Sequence, residues 1–452
     1  MKSGPGANEA WLARSRSAVW HPCTQMQHHA WPDQPGFLPL IPIARGKGPW
    51  LYDFEGRRYL DGISSWWTNL FGHAHPRINA ALRAQLETLE HVMLAGFTHQ
   101  PVVELSERLS ALTGGALGHA FYASDGASAT EIALKMSFHY WQNCGRADKR
   151  EFLCLAGSYH GETVGALAVT DVALFKDAYA PLVRAANVVP SPDFRQGAPG
   201  ESPADVARRA AAALEAQLEA RGDRIAALIV EPLVQGAAGM AMYDPEYLRL
   251  ARGLCDRHAV HLICDEIAVG CGRTGTFFAH EQAGIRPDLL CLSTGTSGGY
   301  LPLSVVLSTV TLYGAFLDDS VARGFLHSHS YTGNPLACRA ALATLDLFAE
   351  DDVLAANRGR AERLSACFAP LADHERIRHL RQRGLILAFD VETSDPWFSR
   401  RFYRAALDRS ALVRPIGNTV YVMPPYVVGE EEIAHLAGAV ADALKAALAG
   451  TS

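Results

Sequence analysis

Along the chain, apolar residues gather in short runs separated by segments of helical spacing. "FLCLA" (152–156), "RIAALIVEP" (224–232), "VHLICDEI" (260–267) and "PDLLCLS" (287–293) have the length of strands. Between two of them, "PEYLRLARGLCDRH" (245–258) sets Tyr247, Leu250 and Leu254 at helical intervals. Unbroken apolar runs describe strands covered on both faces, and strands that alternate with helices describe βα units. The pattern predicts an α/β fold with a mostly parallel central sheet. In such sheets ligands bind beyond the carboxyl ends of the strands, so the chemistry is expected just after these runs. Residues 197–221 read as a Gly/Pro/Ser loop followed by an Ala-rich surface helix. From about 338 onward, helical stretches, the Gly turn of "RQRGLILAFDV" and the run "NTVYVMPPYVV" predict a smaller α/β domain.

A length of 452 residues points to two or three domains. The composition is 49% hydrophobic and 19% charged, that of an ordinary globular protein. The net charge of −6 is spread over mixed signs, which argues against nucleic acid as a partner. No apolar stretch is long enough to span a bilayer, and the first twenty residues hold no signal-peptide core. Nine cysteines, an odd number without a CxxC pair, suggest neither a zinc site nor a disulfide framework. Together these features place the chain in the cytoplasm as an expectation.

Five segments carry candidate chemistry. In "YASDGASATEIALKMSFHYW" (122–141) a small-residue turn opens a helix with Ile132, Met136 and Tyr140 four apart. Ser128 and Glu131 have the S-x-x-E spacing of a capping box, while Gly126, Ala127 and Ser128 could offer N–H groups and a hydroxyl to a phosphate. In "GSYHGET" (157–163), Tyr159 lies on a loop after a strand, where a ring can stack on a flat cofactor. Asp265 ends an apolar strand, a position for a carboxylate that pairs with a protonated ring nitrogen. Adjacent Trp66 and Trp67 in "GISSWWTNLFGHAHP" (62–76) cannot both face one core from a strand, so one is expected to line a pocket or an interface. Arg414 and Tyr421 in "LVRPIGNTVYVMPPY" (412–426) suit a carboxylate clamp. Singly, each also fits a structural role: a capped helix, a surface Tyr, a capping Asp, an exposed Arg.

Their order resembles that of the class III pyridoxal phosphate aminotransferases of fold type I, over nearly the whole chain. The motifs "VWHPCTQM", "DGISSWW", "THQPVVELSERL", "SDGASATEIALKM", "YHGET", "EPLVQGAAGM", "DEIAVGCGRTG", "SYTGNPLAC" and "VRPIGNTVYVMPPY" carry it. The Trp-Trp pair and the Arg-Pro segment resemble the branch that serves biotin synthesis. That resemblance implies amino transfer from S-adenosylmethionine to 8-amino-7-oxononanoate, giving 7,8-diaminononanoate. It implies pyridoxal 5'-phosphate as cofactor and a homodimer that shares its active sites. A large cofactor-binding domain over 76–337 is implied, with 1–75 contributing to the small domain of 338–452. Gly126, Ala127 and Ser128 would hold the phosphate, Tyr159 would stack on the pyridine ring and Asp265 would face its nitrogen. His329 and Ser330 would approach the phosphate from the partner subunit, with Ser328 beside the substrate. Trp66 and Trp67 would line the substrate pocket, and Arg414 would take the carboxylate with Tyr421 nearby. Another class III ω-aminotransferase is the rival within the family.

Two positions depart from the family's pattern. Cys23 stands where members can carry a substrate-contacting Tyr. Thr294, in "LSTG", stands where the family has the lysine that forms a Schiff base with the cofactor and then moves the substrate proton. A threonine hydroxyl does neither. The other lysines are Lys2, Lys47, Lys135, Lys149, Lys176 and Lys445, with none between 177 and 444. The chain is expected to be inactive or severely impaired. Thr294 is either a recent substitution in a working enzyme or the mark of a non-catalytic relative that keeps the fold for binding. The retention of Tyr159, Asp265 and Arg414 favours the first.

Overall fold

The structure, a computed structural model, describes residues 6–449. The chain divides into two compact units, Met1–Pro76 with Ala355–Ser452, and Arg77–Leu354. The second break falls beyond the 337/338 boundary expected from the sequence. The helix Pro335–Glu350 belongs with the large unit because it packs on the helix Gln100–Leu112, with Arg108 2.6 Å from Asp346 and Arg339 3.6 Å from Glu104.

The large unit is built on a seven-stranded sheet. Its strands in chain order are β1 (His119–Ala123), β2 (Glu151–Leu155), β3 (Asn187–Val189), β4 (Ile225–Val230), β5 (His261–Asp265), β6 (Leu289–Leu292) and β7 (Ser304–Ser308). Their spatial order is β1-β7-β6-β5-β4-β2-β3, and only β7 runs antiparallel to its neighbours. Every residue of β4, β5, β6 and β7 is buried, as the unbroken apolar runs require. Ile132, Ala133 and Met136 of the helix Gly126–Asn143 pack against Ile229, Ile263 and Leu289 of the sheet. Cys154, Cys264 and Cys291 lie inside this core as free thiols, and burial pushes all three well up from the ordinary thiol range.

The small unit has two sheets. Strands Ile43–Lys47, Trp50–Asp53 and Arg58–Asp61 form an antiparallel meander, and Ala411–Leu412 pairs in parallel with the third. Strands Ile377–Arg383, Ile386–Val391 and Thr419–Val422 form the other, antiparallel throughout. The helices Phe398–Asp408 and Glu430–Ala449 pack together beside them. Among the described residues, no helix is long and apolar enough to cross a membrane.

Candidate active site

In the large unit, five segments leave the carboxyl ends of strands and touch one another. Gly126 opens its helix after β1, Tyr159 and His160 follow β2, Glu231 follows β4, Asp265 ends β5 and Thr294 follows β6. Asp265 is buried; its Oδ2 lies 2.6 Å from His160 Nδ1 and its Oδ1 accepts from Ile267 N at 3.0 Å. Thr130 Oγ1 donates to the His160 carbonyl at 2.9 Å, and His160 N donates to Thr170 Oγ1 at 3.0 Å, which anchors the backbone that carries the ring. His160 Nε2 is buried and has no hydrogen-bond partner among the described residues. Glu266 takes a separate, structural part: its carboxylate accepts from Ala279 N at 2.6 Å and from His280 N at 2.8 Å.

The phosphate turn differs from the sequence reading in two ways. The helix is capped by Asp125, whose Oδ1 accepts from Ser128 N at 2.9 Å and whose Oδ2 accepts from Ser128 Oγ at 2.9 Å. Ser128 and Glu131 therefore form no capping box, and the Ser128 hydroxyl proton points back to the cap. Glu131 instead accepts from Thr163 Oγ1 at 2.6 Å and Gly165 N at 2.9 Å. A helix cannot satisfy its own first-turn N–H groups, so those of Gly126 and Ala127 remain for an anion at the positive helix end. The backbone is close there. A Cβ on Gly126 would stand 2.9 Å from Ile267 Cγ2, and one on Gly161 2.5 Å from Ala127 Cβ.

Thr294 donates its hydroxyl hydrogen bond to the Ile267 carbonyl, two residues past Asp265. The side chain at the expected lysine position thus adjoins the Asp265 loop. Lys135 and Lys149 are engaged elsewhere: Lys135 Nζ lies 2.8 Å from His327 Nδ1, and Lys149 donates to the carbonyls of Gly222, Ile225 and His258. Tyr159 donates its hydroxyl to Glu162 at 2.8 Å, and its backbone N–H to Glu231 Oε2 at 3.0 Å.

Glu231 opens the motif "EPLVQGAAGM", and no sequence pattern assigns it a role. Fully buried beside Asp265, it has its carboxyl pushed up to about 7 by desolvation, against the pull of His160 and of the Tyr159 and Gly236 N–H groups. A folded-state value above the ordinary 4.5 favours the folded protein at low pH. That contribution is complete below about pH 4.5 and is lost as pH rises through about 7. It amounts to a few kcal/mol, at about 1.4 kcal/mol per pH unit. Urea unfolding at pH 5 and pH 7.5 is expected to show this fall, and Glu231→Gln is expected to flatten it; an unchanged slope in the variant would remove Glu231 as the source.

In the small unit, the remaining substrate candidates converge. Trp66 and Trp67 sit on no strand: Ser64, Ser65, Trp66 and Trp67 have φ of 51°, 46°, 68° and 73°, a turn of left-handed helix without a glycine. Such a turn costs on the order of 4–8 kcal/mol at 1–2 per residue, so tertiary contacts must impose it. Arg414 lies over the Trp66 ring at 5.6 Å, and Trp67 Nε1 donates to Tyr421 Oη at 3.0 Å. Burial pushes the Tyr421 hydroxyl up to about 12. Trp66 and Arg414 line a cavity of about 320 Å³ whose apolar wall includes Leu38, Ile41, Leu407 and Leu412. His21, Pro22 and Thr24 line it too, around Cys23, which is exposed on left-handed backbone (φ 52°).

Among the described residues, no hydrogen bond joins Ser328, His329 or Ser330 to Gly126. His329 Nε2 lies 3.0 Å from His327 Nε2, its N–H donates to Thr332 Oγ1, and both serines are exposed.

The sequence profile described as aminotransferase class-III matches residues 33–444. The adenosylmethionine-8-amino-7-oxononanoate aminotransferase of Helicobacter pylori is 43% identical over 424 residues, 92% of this chain and 93% of the relative. The chain belongs to the class-III aminotransferases. Its Geobacter sulfurreducens relative of the same name is 38% identical over 429 residues, 92% of this chain and 93% of the relative. Among solved structures, the aminotransferase of that name from Methanocaldococcus jannaschii superposes with a TM-score of 0.89 at 30% identity, covering 97% of this chain and 99% of its own. A pyridoxal phosphate-bound amine transaminase from an uncultivated Pseudomonas species gives 0.88 at 30% identity, covering 95% and 98%.

Class-III aminotransferases are pyridoxal phosphate-dependent transaminases, and the large unit fits that cofactor. It has a helix end that faces a phosphate with first-turn N–H groups, a Gly126 where a Cβ would crowd Ile267, and a buried Asp265–His160 pair whose second ring nitrogen has no partner among the described residues. When bound, pyridoxal phosphate supplies the electron sink for a substrate carbanion. What the site lacks is an amine at position 294.

Proposed function

We propose that this chain is a transaminase of biotin synthesis halted at its proton-transfer step. Its substrates are S-adenosylmethionine as amino donor and 8-amino-7-oxononanoate as acceptor, the pair named in its relatives. Gly126 and Ala127 hold the cofactor phosphate, Tyr159 stacks on the ring and Asp265 keeps the ring nitrogen protonated, itself oriented by His160. Arg414 takes the acceptor carboxylate between Trp66 and Tyr421. The observation that carries the reading is the hydroxyl of Thr294 tied to the Ile267 carbonyl beside Asp265, which puts a group unable to accept a proton where the shuttle stands in the family. Pyridoxal phosphate is therefore held by non-covalent contacts alone. The protein acts as a homodimer, in which His329 and Ser330 serve the partner's phosphate; the exposure of Ser330 and the half-buried position of His329, held by His327 and Thr332, support this.

Replacing Arg414 with Ala tests the acceptor assignment. Calorimetric affinity for 8-amino-7-oxononanoate is expected to fall about 10- to 100-fold, the worth of a charge-assisted pair, with pyridoxal phosphate affinity unchanged. Unchanged acceptor affinity would point to a different ω-aminotransferase.

A further inference from the structure

The left-handed turn at 64–67 needs an agent that holds it, and the contacts identify one. Asp61 is fully buried at the end of its strand. Its Oδ1 accepts from Ser65 N at 2.8 Å, and its Oδ2 accepts from Ser65 Oγ at 2.7 Å. His73 Nε2 lies 2.9 Å from the same Oδ2. His73 is itself fixed by a two-way backbone bridge to Gly48, at 2.7 and 3.0 Å. Asn69 Nδ2 lies 3.4 Å from His73 Nδ1 on the other side of the ring. On the opposite flank, Ser64 Oγ donates to the Met423 carbonyl at 2.7 Å, two residues past Tyr421. The turn closes with helix-type bonds of left hand, Trp67 N to Ile63 O at 2.9 Å and Thr68 N to Ser64 O at 3.0 Å.

We propose that Asp61, braced by His73, is a positioning residue for the acceptor site: it holds residues 64–67 left-handed and so delivers Trp66 to Arg414 and Trp67 to Tyr421. A right-handed turn at the same place would send the two indoles off in other directions, because the hand of the helix sets the side on which successive side chains leave it. Asp61 touches neither Trp ring; it acts through the backbone and hydroxyl of Ser65. The ligand class follows from what the turn delivers: an aliphatic chain against the apolar wall of the cavity, ended by a carboxylate at Arg414. This inference rests on the assignment of Arg414 given above.

The test uses the full chain saturated with pyridoxal phosphate, with nonanoate as the probe and nonanamide as its uncharged control. In Asp61→Asn the amide NH2 faces His73 Nε2, which bonds the native carboxylate, and the Ser65 hydroxyl has to turn from donor to acceptor. Nonanoate is expected to bind about tenfold more weakly, because the pocket is no longer preorganised, and the near-ultraviolet circular dichroism of the tryptophans is expected to change. Cofactor affinity should hold. Adding Ser65→Gly supplies a residue that takes positive φ without strain, so the turn no longer depends on the carboxylate and affinity should return to within about threefold of the native value. A general loss of stability would show no such rescue. Unchanged affinity and dichroism in Asp61→Asn, or a loss that Ser65→Gly does not restore, would overturn the proposal. If Asp61→Asn does not fold, His73→Gln is read by the same criteria. Arg414→Ala reports separately: nonanoate binding that ignores it defeats the carboxylate assignment, and the dichroism and its rescue by Ser65→Gly then judge Asp61 alone.

Discussion

Thr294→Lys is expected to turn this chain into a working transaminase. In the native chain the transfer of an amino group from S-adenosylmethionine to 8-amino-7-oxononanoate should be at or near the uncatalysed level. A lysine at 294 brings back two functions at once. With pyridoxal phosphate bound, its amine would anchor the cofactor covalently and, when free, would hold and move the substrate proton. Acid–base help of this kind is typically worth about 10²–10⁴ in rate, and the covalent entry route adds to it, so the gain should exceed about a thousandfold. Position 294 suits the change. The loop follows β6 directly, the threonine side chain is only partly buried, and its hydroxyl reaches the backbone beside Asp265. Release of 7,8-diaminononanoate, followed by mass spectrometry, checks it. A Thr294→Lys protein that binds pyridoxal phosphate yet forms no product with these substrates would favour the non-catalytic reading instead.

Asp265→Asn, made in the Thr294→Lys background, is expected to reverse most of that gain. Asp265 is buried and paired with His160 at 2.6 Å. With pyridoxal phosphate bound, a carboxylate at this place would hold a proton on the ring nitrogen and so strengthen the electron sink that the cofactor supplies. An amide is neutral and supplies no such field. Removal of a single preorganised electrostatic partner in a dry site costs about 10²–10³ in turnover. The effect should fall on kcat, with substrate KM changed far less, because Arg414 and the tryptophans are untouched. Steady-state kinetics on the double variant separate the two. A fall in apparent affinity at constant kcat would assign Asp265 a binding role only.

Much of this was legible in the sequence because it rests on local patterns. The runs 224–232 and 260–267 hold the buried strands Ile225–Val230 and His261–Asp265, and Asp265 is the last residue of the second, as its place after "HLIC" indicated. Arg414 reaches Trp66 and Tyr421 reaches Trp67, a convergence that only the family resemblance, and no local pattern, implied. The features that escaped are set by contacts between distant residues. The sequence "SSWW" contains nothing that favours a left-handed turn; Asp61, Met423 and Tyr421 impose it, two of them more than 350 positions away. The apparent capping box at Ser128 failed for a local reason, since Asp125 caps the helix first and Glu131 turns to Thr163 and Gly165. Glu231 looked like an ordinary Glu-Pro at a strand end. Only its burial against His160 and Asp265 gives it a shifted titration.

The central claim is that pyridoxal phosphate binds this chain without a covalent bond because Thr294 stands at the anchor position. Borohydride reduction of the loaded native protein, followed by peptide mass mapping, tests it most directly. The account predicts no stoichiometric cofactor adduct on any of the six lysines, and a single adduct at position 294 once Thr294→Lys is made. A stoichiometric adduct on Lys135, Lys149 or any other lysine of the native chain would contradict it.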